Sequence, residues 1–422
     1  MNDSNAPIVV VGAGVAGLRC AALIKQAGLP VVVLEAEYEV GGCLRTKVID
    51  GHILDRGFQV LQTAYPEAQA ALDYSRLELV TLEPGASVRL NKAWYPMVDP
   101  WRRPAKAWST IFNPIGGISD RLALWRLLRS VRSQDGESLL AAPNDQSTRQ
   151  YLSEFGFSTS FIEHFLRPWL SGIFLEADLA TSSNYFRFVL KMLSAGDIAY
   201  PRSGIAAIPK QLSEPLGQGE IRLASKAIAW RNHCIHIEGQ EPIAARALVL
   251  ACSPAIANKI LEHSPPNSPS EAIPRFNPTR CIYFAADTPP TDDLRLMLNG
   301  DKEGPINHVF IPTNSFKSQN GQATICVNLV GTKALEENLD ESIMQQLEDW
   351  FGEQVQNWHL LADTCLPQAL PFQPPGFYAE AANKNLPSDV YQCGQSQEST
   401  SLQGALRSGR LTAEFVIQQF DG

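Results

Sequence analysis

At 422 residues the chain is too long for one ordinary hydrophobic core, and two or three domains are expected. Its 45% apolar and 19% charged residues exclude a disordered chain, and a net charge of −9 excludes general nucleic-acid binding, which needs basic surface to neutralise phosphate. No apolar run is long enough to cross a bilayer, and the polar start Met1-Asn2-Asp3-Ser4 passes straight into a predicted strand, so a cytoplasmic protein is expected.

The chain opens with Ile8-Val9-Val10-Val11, the turn Gly12-Ala13-Gly14-Val15-Ala16-Gly17, a helical stretch to about Ala27, and a second apolar run ending in Glu35. This reads as strand, glycine turn, helix and parallel strand. Gly12 permits the tight turn, Gly14 lets backbone approach a pyrophosphate, and Gly17 lets helix and strand pack closely. Phosphates would sit on the helix N-terminus, and Glu35 would accept bonds from a ribose diol. NAD and FAD share this motif, and the stretch alone does not choose between them.

Next come Ala36-Glu37-Tyr38-Glu39-Val40-Gly41-Gly42-Cys43-Leu44-Arg45-Thr46 and Asp55-Arg56-Gly57-Phe58-Gln59-Val60-Leu61. Paired glycines bring backbone to a ligand, and a nearby arginine neutralises phosphate. The glycine turn, Val33-Leu34-Glu35-Ala36 and Gly41 to Thr46 together resemble the FAD-binding N-terminus of the flavin amine oxidase superfamily, nearest its phytoene desaturase and protoporphyrinogen oxidase-like branches. The resemblance implies that Gly41, Gly42 and Arg45 lie along the FAD diphosphate and that Gly57 and Phe58 pass near the flavin ring. The superfamily usually has arginine where Cys43 stands.

From about Glu67 to Tyr200 the pattern reads as mostly helical, with frequent tryptophan and proline. Leu122, Leu124, Trp125, Leu127, Leu128 and Val131 among Arg121, Arg126, Arg129 and Arg132 describe a cationic amphipathic helix over 120–132. Residues 94–132 hold seven basic residues (Arg102, Arg103, Lys106, Arg121, Arg126, Arg129, Arg132) against Asp99 and Asp120, accompanied by Trp94, Trp101, Trp108, Ile111 and Phe112. Two readings stand: a helix packed on the core with solvated arginines, or peripheral contact with an anionic membrane surface. The polar run 144–150 reads as a loop. Phe165 to Phe174 and Ala199 to Pro209 resemble the region where relatives leave a helical substrate domain and return to the FAD domain.

Short strands are then expected at Ile221-Arg222-Leu223, Ala227 to Trp230, Cys234 to Ile237 and Ala247 to Cys252, with a hairpin between the second and third. His233 and His236 sit in that hairpin on opposite faces, so no metal is expected. In the resembled family a backbone group at the position of Ala227 meets the adenine end of FAD. Residues 264–278 carry prolines 265, 266, 269, 274 and 278 and read as a linker. Runs near 280–285, 306–311, 323–330 and 358–366 read as strands of a floor beneath the flavin, and Asp340 as the cap of a helix with Ile343, Met344, Leu347, Trp350 and Phe351 on one face.

The last segment, Val390 to Gln395 and Ser401 to Arg410, resembles the closing FAD motif of the family: a strand, then a helix whose first N–H groups face the flavin carbonyl. Gly394, Leu402, Gly404 and Ala405 match it, and Gly409 matches a close-packed turn. Gln395 stands where the family has Asp. Ser401, followed by Leu402, stands where amine oxidases of the superfamily have one of two substrate-framing aromatics, and Phe377 or Tyr378 is the candidate for the other. No cysteine adjoins Phe377 to tether flavin.

The expected fold is α/β (α+β overall): a Rossmann-type FAD-binding domain from segments 1–66, 201–275 and 375–422, and a substrate domain of mixed sheet plus helices from 67–200 and 276–374. The resemblance implies noncovalent FAD held by Gly12, Gly14, Val15, Ala16, Gly17, Glu35, Ala36, Gly41, Gly42, Cys43, Leu44, Arg45, Gly57, Phe58, Ala227, Gly394, Gln395, Leu402, Gly404 and Ala405. It implies an oxidoreductase that takes hydride from a largely apolar small molecule. A flavin amine oxidase, a redox-neutral FAD-dependent isomerase and a degenerate flavin-binding protein are the alternatives. No residue is assigned as catalytic. The eight scattered cysteines, with no C-x-x-C pair, read as reduced apolar residues.

Overall fold

The computed structural model describes residues 6–98, 113–262, 274–316, 318, 320–380, 386 and 389–420. The positions 99, 101–103, 106, 108, 111 and 112 of the basic stretch and prolines 265, 266 and 269 lie outside the described residues.

Ile8–Val11 forms the centre of a five-stranded sheet because all four of its side chains are buried, as a strand covered on both faces requires. The order is Ile221–Arg222, Val31–Leu34, Ile8–Val11, Ala247–Leu250 and Val390–Gln392, every neighbouring pair parallel. Ile8, Val10, Val33 and Val249 face the helices Val15–Gln26 and Leu402–Phe420 through Leu18, Ile24, Leu406 and Val416. Val9, Val11, Leu34 and Leu250 face the opposite way, onto Trp230, Ile235 and Ile237 of a three-stranded antiparallel sheet and onto helix Pro254–Leu261. The sheet thus gathers strands from both ends and the middle of the chain. The hairpin in the small sheet turns at Asn232 and His233, and His233 Nδ1 lies 3.1 Å from Asp389.

A seven-stranded sheet follows the order His359–Pro371, Phe276–Ala286, Ala323–Val330, His308–Phe310, Leu296–Asn299, Gly85–Leu90 and Ala93–Val98. Ile282, Phe284, Ile325, Val327 and Val309 cover one face and meet Ile343, Leu347 and Trp350 of helix Asp340–Phe351. Alternation sends Cys281, Tyr283, Phe310 and Cys326 to the other face, against Leu54 and Tyr200.

Four expectations need correction. The stretch from Glu67 is not mostly helical at its start: Leu79–Thr81, Gly85–Leu90 and Ala93–Val98 are strands, and the last two join the large sheet through a two-residue turn. Asn91 and Lys92 both take positive φ there (52° and 62°), the geometry that matches strand twist. The linker ends before 278, because Pro278 lies inside strand Phe276–Ala286, at the shift of register between Asn277 and Thr279 where a missing N–H is tolerated. The run 144–150 is half helix: Ser147 caps Thr148–Phe155 by accepting from Gln150 N. Asp340 is the first helical residue rather than the cap, and lies 3.2 Å from Arg280.

Candidate functional site

The glycine turn leads from Ile8–Val11 into helix Val15–Gln26, with Gly14 as its extended N-cap and Val15 and Ala16 in its first turn. A Cβ on Gly17 would overlap the Gly12 carbonyl, so strand and helix meet there only through glycine. At Gly14 a Cβ would meet nothing within 4 Å, so space is open beside the start of the helix, an end that favours an anion. Gly41 bridges to Gly14, and its N–H donates to the Ala13 carbonyl at 2.8 Å. Gly42 (φ +60°) would bring a Cβ to 3.3 Å from Gly14 Cα. Two glycine segments thus form one backbone-lined groove.

Glu35 follows the second strand and is buried. Its Oε2 accepts from Ala13 N at 2.8 Å and its Oε1 from Glu37 N at 3.0 Å, fixing the carboxylate beside the turn and Ala36 at the rim. The backbone of Glu35 is also tied to Arg222 and Ser225, which sets the strand beginning at Ala227 near this end of the groove. Arg45 lies past Gly41, Gly42 and Leu44 with only distant acids, Glu37 at 3.8 Å and Glu39 at 3.7 Å, and its buried Nε makes no hydrogen bond. A half-buried guanidinium whose Nε has no hydrogen bond, on the segment that continues from Gly41 and Gly42, fits a diphosphate. Cys43 is exposed and supplies no charge.

Three chain segments meet at Asp55. Its Oδ1 accepts from Thr46 Oγ1 at 2.6 Å and from Ile205 N at 2.9 Å, while Tyr283 donates to its backbone carbonyl at 3.0 Å. Burial pushes the Asp55 carboxyl up to about 6. Beside it a cleft opens between Phe58 and Tyr200 on one side and Tyr283, Phe310 and Phe316 on the other. Phe58 packs edge-on against Phe310 at 5.4 Å and against His308 at 5.0 Å, and Tyr200 against Phe310 at 5.6 Å. Burial raises the phenols of Tyr200 and Tyr283 and lowers His308 to about 3, so all three stay neutral. Gly57, with φ +90°, turns the chain into Phe58.

The closing segment packs against the first helix, at the glycine turn. Gly394 N donates to Ser408 Oγ at 3.0 Å, and Gln395 follows in the loop before helix Leu402–Phe420, whose first turn holds Gly404 and Ala405. Gly409 lies inside this helix rather than in a turn; a Cβ there would collide with the Ala16 carbonyl, so this contact seats the last helix against the first. Of the three tyrosines around Ser399 to Ser401, the sequence pointed to Tyr378 and gave no sign of Tyr65 or Tyr185. Tyr185 donates to the Thr400 carbonyl at 3.0 Å, Tyr65 faces Ser401, and Tyr378 faces Ser399. Phe377 packs edge-on against Tyr378 at 5.7 Å. The three are far apart in sequence, and no local pattern marks Tyr65 or Tyr185.

Among the described residues no group of three or more His, Cys, Asp or Glu could hold a metal ion, and no helix is long and apolar enough to cross a membrane.

The family model for flavin containing amine oxidoreductase matches residues 15–417. Over 66 residues the chain is 46% identical to protoporphyrinogen oxidase 2 of Arabidopsis thaliana, and over 71 residues 44% identical to putrescine oxidase of Kocuria rosea. These matches cover 16% and 17% of this chain and only 13% and 15% of those relatives' lengths. The structure of cyclohexylamine oxidase from Brevibacterium oxydans IH-35A superposes with a TM-score of 0.72 over 99% of this chain and 100% of the other, at 17% identity, which shows a shared fold.

Proposed function

The chain belongs to the family of flavin-containing amine oxidoreductases, and from that premise we propose that it is an FAD-dependent oxidoreductase taking hydride from a largely apolar small molecule in the aromatic cleft. The diphosphate would lie in the groove of Gly14, Gly41 and Gly42 beside Arg45, with the ribose at Glu35. The spare guanidinium donor and the open face of Gly14 support that fit. Bound FAD supplies the hydride acceptor. The protein's own part is to orient substrate between Phe58, Tyr200, Phe310 and Phe316 and to exclude water. The observation that carries this reading is that one segment, Gly41 to Phe58, lines the groove and continues into the cleft wall. A cytoplasmic setting goes with it, supported by eight cysteines that are all free thiols.

The test is a visible spectrum of purified protein, followed by acid precipitation. Flavin bands are expected, with all flavin released into the supernatant, and anaerobic bleaching by the substrate. A protein that shows no flavin bands even after incubation with FAD refutes the proposal.

A second reading, an amine oxidase, is favoured by the aromatic walls, since ring faces attract an ammonium group. Release of hydrogen peroxide and ammonia from an amine panel in air would establish it, and inactivity across the panel would remove it.

A further inference from the structure

Helix Ile118–Arg132 buries Ala123, Leu127 and Val131 on the core. Its opposite face is not the purely solvated arginine face that a core-packed helix would show. Ile118 is 83% exposed, Leu122 56% and Trp125 39%. Spaced by four and then three residues, these side chains form one stripe about half a turn away from the buried one. Arg126, Arg129 and Arg132 are exposed within the same sector.

The arginines are not spent on internal ion pairs. Arg129 lies over the Trp125 ring at 5.7 Å, Arg126 over the Phe155 ring at 5.5 Å, and Arg132 donates to the Ser194 carbonyl at 3.0 Å. Among the described residues no carboxylate pairs with any of the three. In a chain of net charge −9 this is a local reversal of sign, with large apolar side chains set among the cations.

We propose that this face docks the protein on a lipid surface bearing anionic headgroups, with Ile118, Leu122 and Trp125 entering the headgroup boundary and Arg126, Arg129 and Arg132 pairing with the headgroup charge. Both features are needed. The apolar stripe alone would suit any apolar partner, and the arginines alone any polyanion. Cations ringing apolar side chains match the headgroup-over-acyl layering of a bilayer. A globally acidic protein would be repelled from an anionic surface unless its basic side faced it, so the charge pattern also fixes orientation.

The experiment is co-sedimentation of the purified full-length protein with phosphatidylcholine vesicles and with phosphatidylcholine–phosphatidylserine vesicles. Binding is expected only to the latter, with release at high salt. Each arginine near an anionic surface contributes about fivefold to partitioning, so R126E/R129E should weaken binding by more than about twentyfold. L122S/W125S should weaken it as well, without changing its salt dependence. Circular dichroism and the flavin spectrum of both variants report folding and cofactor loading separately, since the helix lies outside the cleft. Sedimentation with neither vesicle, equal sedimentation with both, or binding unchanged in both variants overturns the proposal. The last outcome would assign lipid binding to another surface.

Discussion

The Asp55 carboxylate accepts the Thr46 hydroxyl at 2.6 Å across the hairpin that joins the cofactor groove to the cleft. Gly204 (φ +94°) is packed so close that a Cβ there would stand 2.9 Å from Asp55 Oδ1. The returning segment can therefore cap this pair only by using glycine.

Burial of the Asp55 carboxyl makes stability depend on pH. The folded carboxyl titrates near 6 while the ordinary value is 3.8, so the folded state prefers the protonated form. Its stabilising contribution is full below about pH 4 and is lost as pH rises through 6. The loss reaches about 3 kcal/mol at pH 8, because each pH unit between the two midpoints is worth about 1.4 kcal/mol. In Asp55→Asn one oxygen still accepts both Thr46 and Ile205, and the variant should lack this slope. Urea unfolding of both proteins at pH 4, 6 and 8 measures it; parallel profiles would refute the assignment.

Gly42 is expected to be intolerant of substitution for a local reason. At φ +60°, with its missing Cβ 3.3 Å from Gly14 Cα, alanine costs about 1–2 kcal/mol of backbone strain and pushes the two glycine segments apart. Gly42→Ala should therefore weaken FAD binding by about tenfold or more. Gly28→Ala, also at positive φ but with open space around it, should cost stability and leave affinity unchanged. Flavin fluorescence titration separates the two outcomes.

Cys43 offers the opposite kind of change. It is exposed, beside the groove that Arg45 already lines, and carries no charge. Cys43→Arg should tighten FAD binding by about fivefold, the scale of one exposed charge pair, and the gain should shrink in high salt. Combined with Gln395→Asp it tests the alternative of a degenerate site. Unchanged affinity in the double variant would mean that neither departure from the family pattern weakens the cofactor site.

What could be read from sequence follows from how local each cause is. The strand, turn and helix of residues 8–26 were legible because four consecutive buried apolar residues and three glycines act on neighbours in the chain. The hairpin Gly85–Val98 was hidden by its tryptophan, proline and arginine, although Asn91-Lys92 was a usable turn signal. The meeting of Tyr65, Tyr185 and Tyr378 around Ser399 to Ser401 was beyond reach, because it depends on helices and loops far apart in sequence converging on one end of the last helix. The same holds for the cleft, whose walls combine Asp55 and Phe58 with Tyr200, Tyr283, Phe310, Phe316 and Cys326.

The last helix is held by a pair that should be costly to break. Arg410 Nη2 lies 2.6 Å from Glu67 Oε1, and its Nε lies 3.0 Å from both carboxylate oxygens; Glu67 is buried, and its own N–H donates to Gln403 Oε1 at 2.9 Å. Removing the guanidinium leaves a buried carboxylate with its main partner gone, whereas removing the carboxylate leaves Arg410 with Glu414 and solvent. Arg410→Ala should therefore destabilise by about 3 kcal/mol and Glu67→Gln by about half of that, the partial exposure of Arg410 softening both. Because Gln403 lies in the first turn of this helix, next to Gly404 and Ala405, the loss should reach the cofactor end. Arg410→Ala is expected to release FAD at a lower urea concentration than the one that unfolds the chain, while the wild-type transitions coincide. Coincident flavin release and unfolding in both proteins would show that the pair stabilises the fold without positioning the helix.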